Sequence, residues 1–223
     1  MRHYAIVVAG GSGNRMGADV PKQFLPLNGR PLLMYTLQAF ASSSFQPDII
    51  LVLHPAEQAR WASLCKTFDF RIPHQIVQSG IERFHSVKNA LSLITEPGIV
   101  SVHDAARPLV STELIDRCYT SAAREGNAVA AVQATDSIRI AAGGKNRATD
   151  RRQVFLVQTP QVFRSSQLLP AYGRPYNKGY TDDASVVESS GVEIFLEQGE
   201  RTNIKITYPA DLILAEALLV PKP

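Results

Sequence analysis

Five apolar runs recur along the first part of the chain, at Tyr4–Ala9, Asp48–Leu53, His74–Gln78, Ile99–His103 and Ala128–Gln133. Each is short, and none alternates polar with apolar positions. Continuous apolarity of this kind marks strands buried on both faces, as in a parallel sheet. Between the runs the apolar period lengthens toward that of a helix. Pro31 sits at the first turn of "PLLMYTLQAF", Pro55 opens "PAEQARWASLCKTF", and Ser111-Thr112-Glu113 caps "ELIDRCYTSAARE". Strand and helix in alternation predict a three-layer α/β fold with right-handed crossovers and a mostly parallel sheet. A last helical stretch, "ADLILAEALLV", closes the pattern.

One segment breaks the alternation. Between about Thr135 and Leu156, "DSIRI" and "QVFLV" read as two strands joined by the polar, glycine-bearing turn "AAGGKNRATDRR". This predicts a β-hairpin arm inserted at about 135–156 into a single domain spanning 1–223. A lone two-stranded ribbon is marginal in water, so its apolar face needs a partner surface.

Composition narrows the class. The 223 residues are 45% hydrophobic, enough for one sizeable core, and 23 basic against 20 acidic residues leave a net charge of +3. The basic residues are scattered, which argues against nucleic acid as a partner. Cys65 and Cys118 both fall in helical stretches and read as two buried thiols in a reducing compartment. No apolar run approaches the roughly 20 residues needed to span a bilayer. Ala5–Ala9 is also too short for a signal-peptide core. A cytoplasmic protein without membrane contact is expected.

The chemistry begins at "AIVVAGGSGNRMGADVPKQFL", Ala5 to Leu25. Open α/β sheets bind ligands beyond the carboxyl ends of their strands, so the turn after the first strand is the place to look. Two familiar phosphate motifs fail there. The dinucleotide fingerprint breaks at Met16, and no acidic residue ends the second strand, where Leu53 leads to His54-Pro55. The Walker pattern lacks its Lys-Ser or Lys-Thr. What remains is a glycine nest, Gly10, Gly11 and Gly13, with Arg15 and Lys22, the latter presented by Pro21. Phosphoryl and nucleotidyl transfer need mainly positioning and charge, which such a loop supplies. A dianionic phosphate monoester as nucleophile would need no general base, in keeping with the lack of any Ser–His–Asp or Cys–His arrangement.

Other stations follow. In "SVHDAARP", Asp104 lies just past a strand, where a carboxylate can hold Mg²⁺ or a polyol hydroxyl, and Arg107 can neutralise a phosphate. "QSGIERFHSV" offers a second glycine turn at Gly80, with Arg83 and Ser86 near the next helix start, where backbone groups can read a nucleobase edge. "QTP" at 158–160, "GYTDDAS" at 179–185 and "TNIKIT" at 202–207 carry hydroxyls, acids and Lys205. His103, within a strand, reads as a core residue.

Taken together, "AGGSGNRMGADVPKQFLPLNGRPLL", "HDAARP", "QTPQVF", "TDDAS" and "NIKIT" occur in the order and approximate spacing of the 2-C-methyl-D-erythritol 4-phosphate cytidylyltransferases of non-mevalonate isoprenoid biosynthesis. The chain resembles that family over nearly its whole length. The resemblance implies a Rossmann-like nucleotidyltransferase fold and a divalent-cation-dependent reaction, with Mg²⁺ the expected ion. It implies that CTP and a polyol phosphate are the partners. It also implies a homodimer formed through the β-arm. Residue by residue, it implies that Arg15 and Lys22 stabilise the transition state at the α-phosphate. Ala9, Gly10, Gly11, Gly13, Gly80 and Ser86 match the nucleotide pocket. Asp104, Arg107, Arg151, Thr159, Thr181 and Lys205 match positions that hold methylerythritol phosphate, with Asp104 also a metal-ligand candidate. Two departures stand out. Ala9-Gly10-Gly11 replaces the family's usual Ala-Ala-Gly, which is expected to loosen the turn, and Ser137 replaces a common threonine in the hairpin. The alternatives are a ribitol-5-phosphate cytidylyltransferase, a sugar-1-phosphate or molybdenum-cofactor nucleotidyltransferase, and a non-catalytic nucleotide-binding module.

Overall fold

The computed structural model describes residues 1–11 and 20–219. The apolar runs of the sequence are strands of one seven-stranded sheet. Five of them are β1 (Arg2–Ala9), β4 (Asp48–Leu53), β5 (Gln75–Gln78), β6 (Gly98–Asp104) and β7 (Asn127–Gln133). Two more complete it, β10 (Phe155–Arg164) and β11 (Leu196–Gln198), in the spatial order β11-β7-β10-β6-β1-β4-β5. β1 pairs in parallel with both β4 and β6. β10 alone runs the other way, antiparallel to both β6 and β7, while β11 joins β7 in parallel. The chain leaves β1 toward β4 and β5, then returns to β6 on the other side of β1. That reversal opens a crevice at the carboxyl end of β1.

Side chains alternate along β1 and so divide the core in two. Ala5, Val7 and Ala9 pack with α1 (Leu32–Ala41), α2 (Gln58–Thr67) and α4 (Thr112–Glu125). Tyr4 and Ile6 pack on the opposite face with α3 (Arg83–Leu91), α5 (Ser165–Gly173) and α6 (Asp183–Glu188). The helix signals operate locally: the Ser111 hydroxyl accepts the Leu114 amide at 3.0 Å to start α4. Pro31 precedes α1 as its N-cap rather than lying in its first turn, and Pro55–Glu57 form a 3-10 turn ahead of α2. The final helix, α7 (Pro209–Leu219), sets Ala215 against Leu27 and Leu32 near a small hairpin of β2 (Pro26–Leu27) and β3 (Arg30–Pro31).

Three further expectations are corrected. β5 is not buried on both faces: it is the sheet edge, and Gln75, Ile76 and Gln78 are exposed. Cys65 is only half-buried, packed at the margin of the core from α2, an otherwise largely exposed helix, whereas Cys118 on α4 is fully buried. The third concerns the hairpin. Its strands are β8 (Ile138–Ala142) and β9 (Lys145–Thr149), turned by Gly143 and Gly144 at φ +56° and +75°. Positive φ at both central positions is what a tight two-residue turn demands, and glycine supplies it. "VFLV" is therefore not the second arm strand. Its residues Phe155, Leu156 and Val157 enter the main sheet opposite Gln133, Val132 and Ala131 of β7, which offers an apolar run to pair with.

Candidate active site

At the switch point, a cleft of about 500 Å³ opens among the ends of β1, β4, β5 and β6. β1 contributes Ala9, Gly10 and Gly11, and β6 contributes Asp104 to Ala106. The turn after β5 contributes Ser79 to Arg83, and α3 adds Ser86. Lys22, at the start of a short 3-10 turn (Lys22–Phe24), and Lys205, on a loop, arrive from distant parts of the sequence.

Asp104 is the centre of a charge cluster. Its Oδ2 lies 2.7 Å from Lys205 Nζ and its Oδ1 3.4 Å from Arg83 Nε. Burial alone would push this carboxyl up, but Arg83 and Lys205 outweigh it and hold the group well below the usual carboxylate range. Asp104 is thus a fixed anion. Arg83 is itself held from behind. Its two terminal nitrogens donate to Asp183 at 2.8 and 2.6 Å, a bidentate pair with Asp183 fully buried at the start of α6. The Tyr172 hydroxyl also donates to Asp183, at 2.5 Å. A capping box in which Asp182 and Ser185 satisfy each other's backbone amides fixes that helix start.

The loop carrying Lys205 is stitched to the turn carrying Asp104. Arg107 donates to the Asn203 carbonyl at 2.7 Å, the Ile206 amide to the Ala106 carbonyl at 2.8 Å, and the Asn203 side chain to the Thr159 carbonyl at 2.8 Å. Thr159 in turn accepts the Asp104 amide on its hydroxyl at 3.0 Å. Lys22 Nζ lies 3.3 Å from the Ile206 carbonyl, which brings the short turn carrying Lys22 to the same place. Behind the cluster His103 is fully buried, with Nε2 3.2 Å from the Arg107 carbonyl, and burial pushes it down to about 4. It is a neutral core residue.

The nucleotide-side turns are built by close approach. A Cβ on Gly80 would meet the His85 Cβ at 2.3 Å, and the Gly80 amide already donates to the Ser86 hydroxyl at 3.0 Å. Gln23 likewise occupies the Ala9 carbonyl at 2.8 Å. Those two backbone groups serve the protein in this state, which reduces the set expected to read a base.

The comparisons bear directly on this arrangement. A family model described as 2-C-methyl-D-erythritol 4-phosphate cytidylyltransferase matches residues 3–220. The chain belongs to that family. A cytidylyltransferase of this name from Bacteroides thetaiotaomicron is 46% identical over 98% of this chain and 100% of its own. The Bacillus velezensis relative of the same name is 40% identical over 98% and 96%. Among solved structures, the Thermus thermophilus enzyme of that name is 34% identical with a TM-score of 0.80, covering 98% of both chains. The 4-diphosphocytidyl-2C-methyl-D-erythritol synthase from Anaerococcus prevotii reaches a TM-score of 0.85 at 25% identity, covering 98% of this chain and 96% of that one. This chain is therefore a nucleotidyltransferase of isoprenoid biosynthesis with the mostly parallel α/β fold of its family.

Of the residues singled out by sequence, Ala9, Gly10, Gly11, Lys22, Gly80, Ser86, Asp104 and Lys205 line the one cleft. Arg107 and Thr159 do not line it; they brace Asp104 and the Lys205 loop. Thr181, exposed ahead of α6, and Ser137 and Arg151, exposed at the base of the arm, are not among its lining residues. Gly13 and Arg15 lie outside the described residues. Sequence reasoning noted Arg83 without giving it a role and left Asp183 inside a motif. Nothing in either local pattern tells that residues 100 positions apart form a bidentate pair with its carboxylate fully buried.

Proposed function

We propose that this cleft transfers the cytidylyl group of CTP to 2-C-methyl-D-erythritol 4-phosphate, releasing pyrophosphate. The observation that carries the reading is the convergence of two glycine turns with Lys22, Arg83 and Lys205 about the fixed Asp104 anion. The nucleoside lies along Ala9–Gly11, Gly80 and Ser86. Lys22, with Arg15 and Gly13 assigned from the sequence, grips the triphosphate and stabilises charge at the α-phosphorus. A phosphate oxygen of the second substrate forms the new bond to that phosphorus, and the bond to the bridging oxygen of the β-phosphate breaks. The nucleophile is already an anion, so no side chain need take a proton. Asp104 accepts hydrogen bonds from the polyol hydroxyls, and Lys205 faces its phosphate. Arg107 and Thr159 keep both in register. Ser137, Arg151 and Thr181 complete the polyol site.

Asp104 fits poorly as a metal ligand, since cations already meet both its oxygens. Among the described residues no cluster of three or more His, Cys, Asp or Glu side chains is placed to hold an ion. The cleft instead suits Mg²⁺ bound by the triphosphate's own oxygens and water, neutralising part of their charge.

The chain is further proposed to act as a single domain whose arm, 138–149, pairs with that of a second copy. Ile140, Phe155, Leu156 and Val157 are exposed apolar residues on and beside the arm that such pairing would cover. Arg151, whose guanidinium donates to the Thr135 carbonyl at the arm base, would then face the neighbour's cleft. No helix among the described residues is long and apolar enough to cross a membrane. A cytoplasmic setting suits the two unbridged cysteines.

The test is to incubate the protein with CTP, Mg²⁺ and either methylerythritol 4-phosphate or ribitol 5-phosphate, and to follow pyrophosphate release. Turnover should require the former, and Arg15→Ala or Lys22→Ala should lower it by about 10²-fold. Equal use of ribitol 5-phosphate would overturn the substrate assignment, and unchanged turnover in either variant would remove that residue from catalysis.

A further inference from the structure

The turns after β1 and β5 meet at a point that a side chain on residue 10 would fill. A Cβ built on Gly10 would lie 2.5 Å from the Ser79 Cβ and 3.2 Å from its hydroxyl oxygen. Gly10 does not take a left-handed φ, so its backbone conformation would accept alanine; the obstacle is Ser79. The turn is therefore not loosened by its extra glycine, because the Ser79 side chain occupies the vacated space.

Ser79 lines the cleft. Its backbone amide is used by the Leu53 carbonyl at 2.8 Å, but its hydroxyl has no hydrogen-bond partner among the described residues. The neighbouring Ser86 hydroxyl, 3.6 Å from the same point, already accepts the Gly80 amide. A hydroxyl lining a cleft without a protein partner is available to a ligand. The neighbours at this end, Gly10, Gly80 and Ser86, carry no charge, whereas Arg83 and Lys205 gather at Asp104. Ser79 thus lies where the cleft is walled by uncharged residues.

We propose that Ser79 is a nucleotide-specificity residue whose hydroxyl donates to an acceptor on the cytosine ring, and that residue 10 is glycine to admit it. This rests on the assignment of the cleft to CTP. It predicts a dependence between two positions far apart in sequence, which a merely space-filling serine would not show in binding.

Calorimetric titration of CTP with Mg²⁺ tests it, alongside thermal unfolding. Ser79→Ala should weaken CTP binding about 3- to 10-fold, the worth of one net hydrogen bond. The midpoint of unfolding, kcat and the KM for the polyol phosphate should not move. The same factor should appear with dCTP, since the contact is to the base. Gly10→Ala should lower the unfolding midpoint, and Gly10→Ala/Ser79→Gly should restore it while binding CTP no better than Ser79→Ala. Undiminished CTP binding by Ser79→Ala, a factor that vanishes with dCTP, or a harmless Gly10→Ala overturns the proposal and leaves the cleft assignment standing. Failure of the wild-type protein to bind CTP would overturn both.

Discussion

Replacing Asp183 by alanine should be among the most damaging single changes in this protein. Asp183 is fully buried, accepts two hydrogen bonds from Arg83 at 2.6 and 2.8 Å, and accepts a third from Tyr172. Its loss leaves Arg83 with Asp104 alone, at 3.4 Å and already shared with Lys205. Breaking one side of a fully buried pair costs about 3–5 kcal/mol. Arg83 lines the cleft with 30% of its side chain exposed, so water can partly compensate the charge left behind and about 2–4 kcal/mol is expected here. The Tyr172 hydroxyl, left without an acceptor, pushes the loss toward the upper end. At about 2–4 °C for each kcal/mol in a chain of this size, the unfolding midpoint should fall by about 4–16 °C. Urea unfolding at neutral pH gives the free energy. The decisive comparison is with Arg83→Met/Asp183→Leu, which removes both charges and should lose much less than the two single variants summed, a coupling of about 2 kcal/mol or more. A loss below about 1 kcal/mol for Asp183→Ala, or simple additivity in the double variant, would refute the claim that the pair is a coupled unit.

Two further outcomes follow from the same cluster and from the arm. His103 falls from an ordinary 6.5 to about 4 on burial, so the unfolded chain binds the extra proton between those values. Its contribution is complete above pH 6.5 and is lost as pH falls toward 4, about 3 kcal/mol in all at about 1.4 kcal/mol per pH unit. The stability–pH slope in that window should flatten in His103→Gln, and an unchanged slope would assign the acid sensitivity elsewhere. For the arm, Arg15→Ala and Arg151→Ala chains, each nearly inactive alone, should regain activity when mixed, because in the proposed dimer each mixed pair would have one site with both arginines. Silence after proven subunit exchange would mean that Arg151 does not serve a neighbour's site.

The central strands were legible because burial on both faces leaves a local mark, an unbroken apolar run, and four of the five fall where the sheet is deepest. β5 carries a similar run but has only β4 as a neighbour, and sequence carries no sign of being last in a sheet. "VFLV" was readable as a strand but not as part of the main sheet, since pairing with Ala131–Gln133 rather than with the adjacent arm is a tertiary choice. The cleft was legible in its glycines and in Asp104, whose places follow from strand ends. The Arg83–Asp183 pair and the Ser79–Gly10 contact were not, because both depend on which turns the fold brings together.

One strand has a wider consequence. β10 leaves the arm at Phe155, pairs with β7, shifts register between Val157 and Gln161, and ends between β6 and β7. Thr159, within that shifted stretch, holds the Asp104 amide. The proposed subunit contact and the Asp104 anchor are thus neighbours on one backbone, four residues from Phe155. Dimer formation and order at the cleft should therefore be thermodynamically linked. Specific activity should decline on dilution as dimers dissociate, and saturating substrate should in turn draw monomers together.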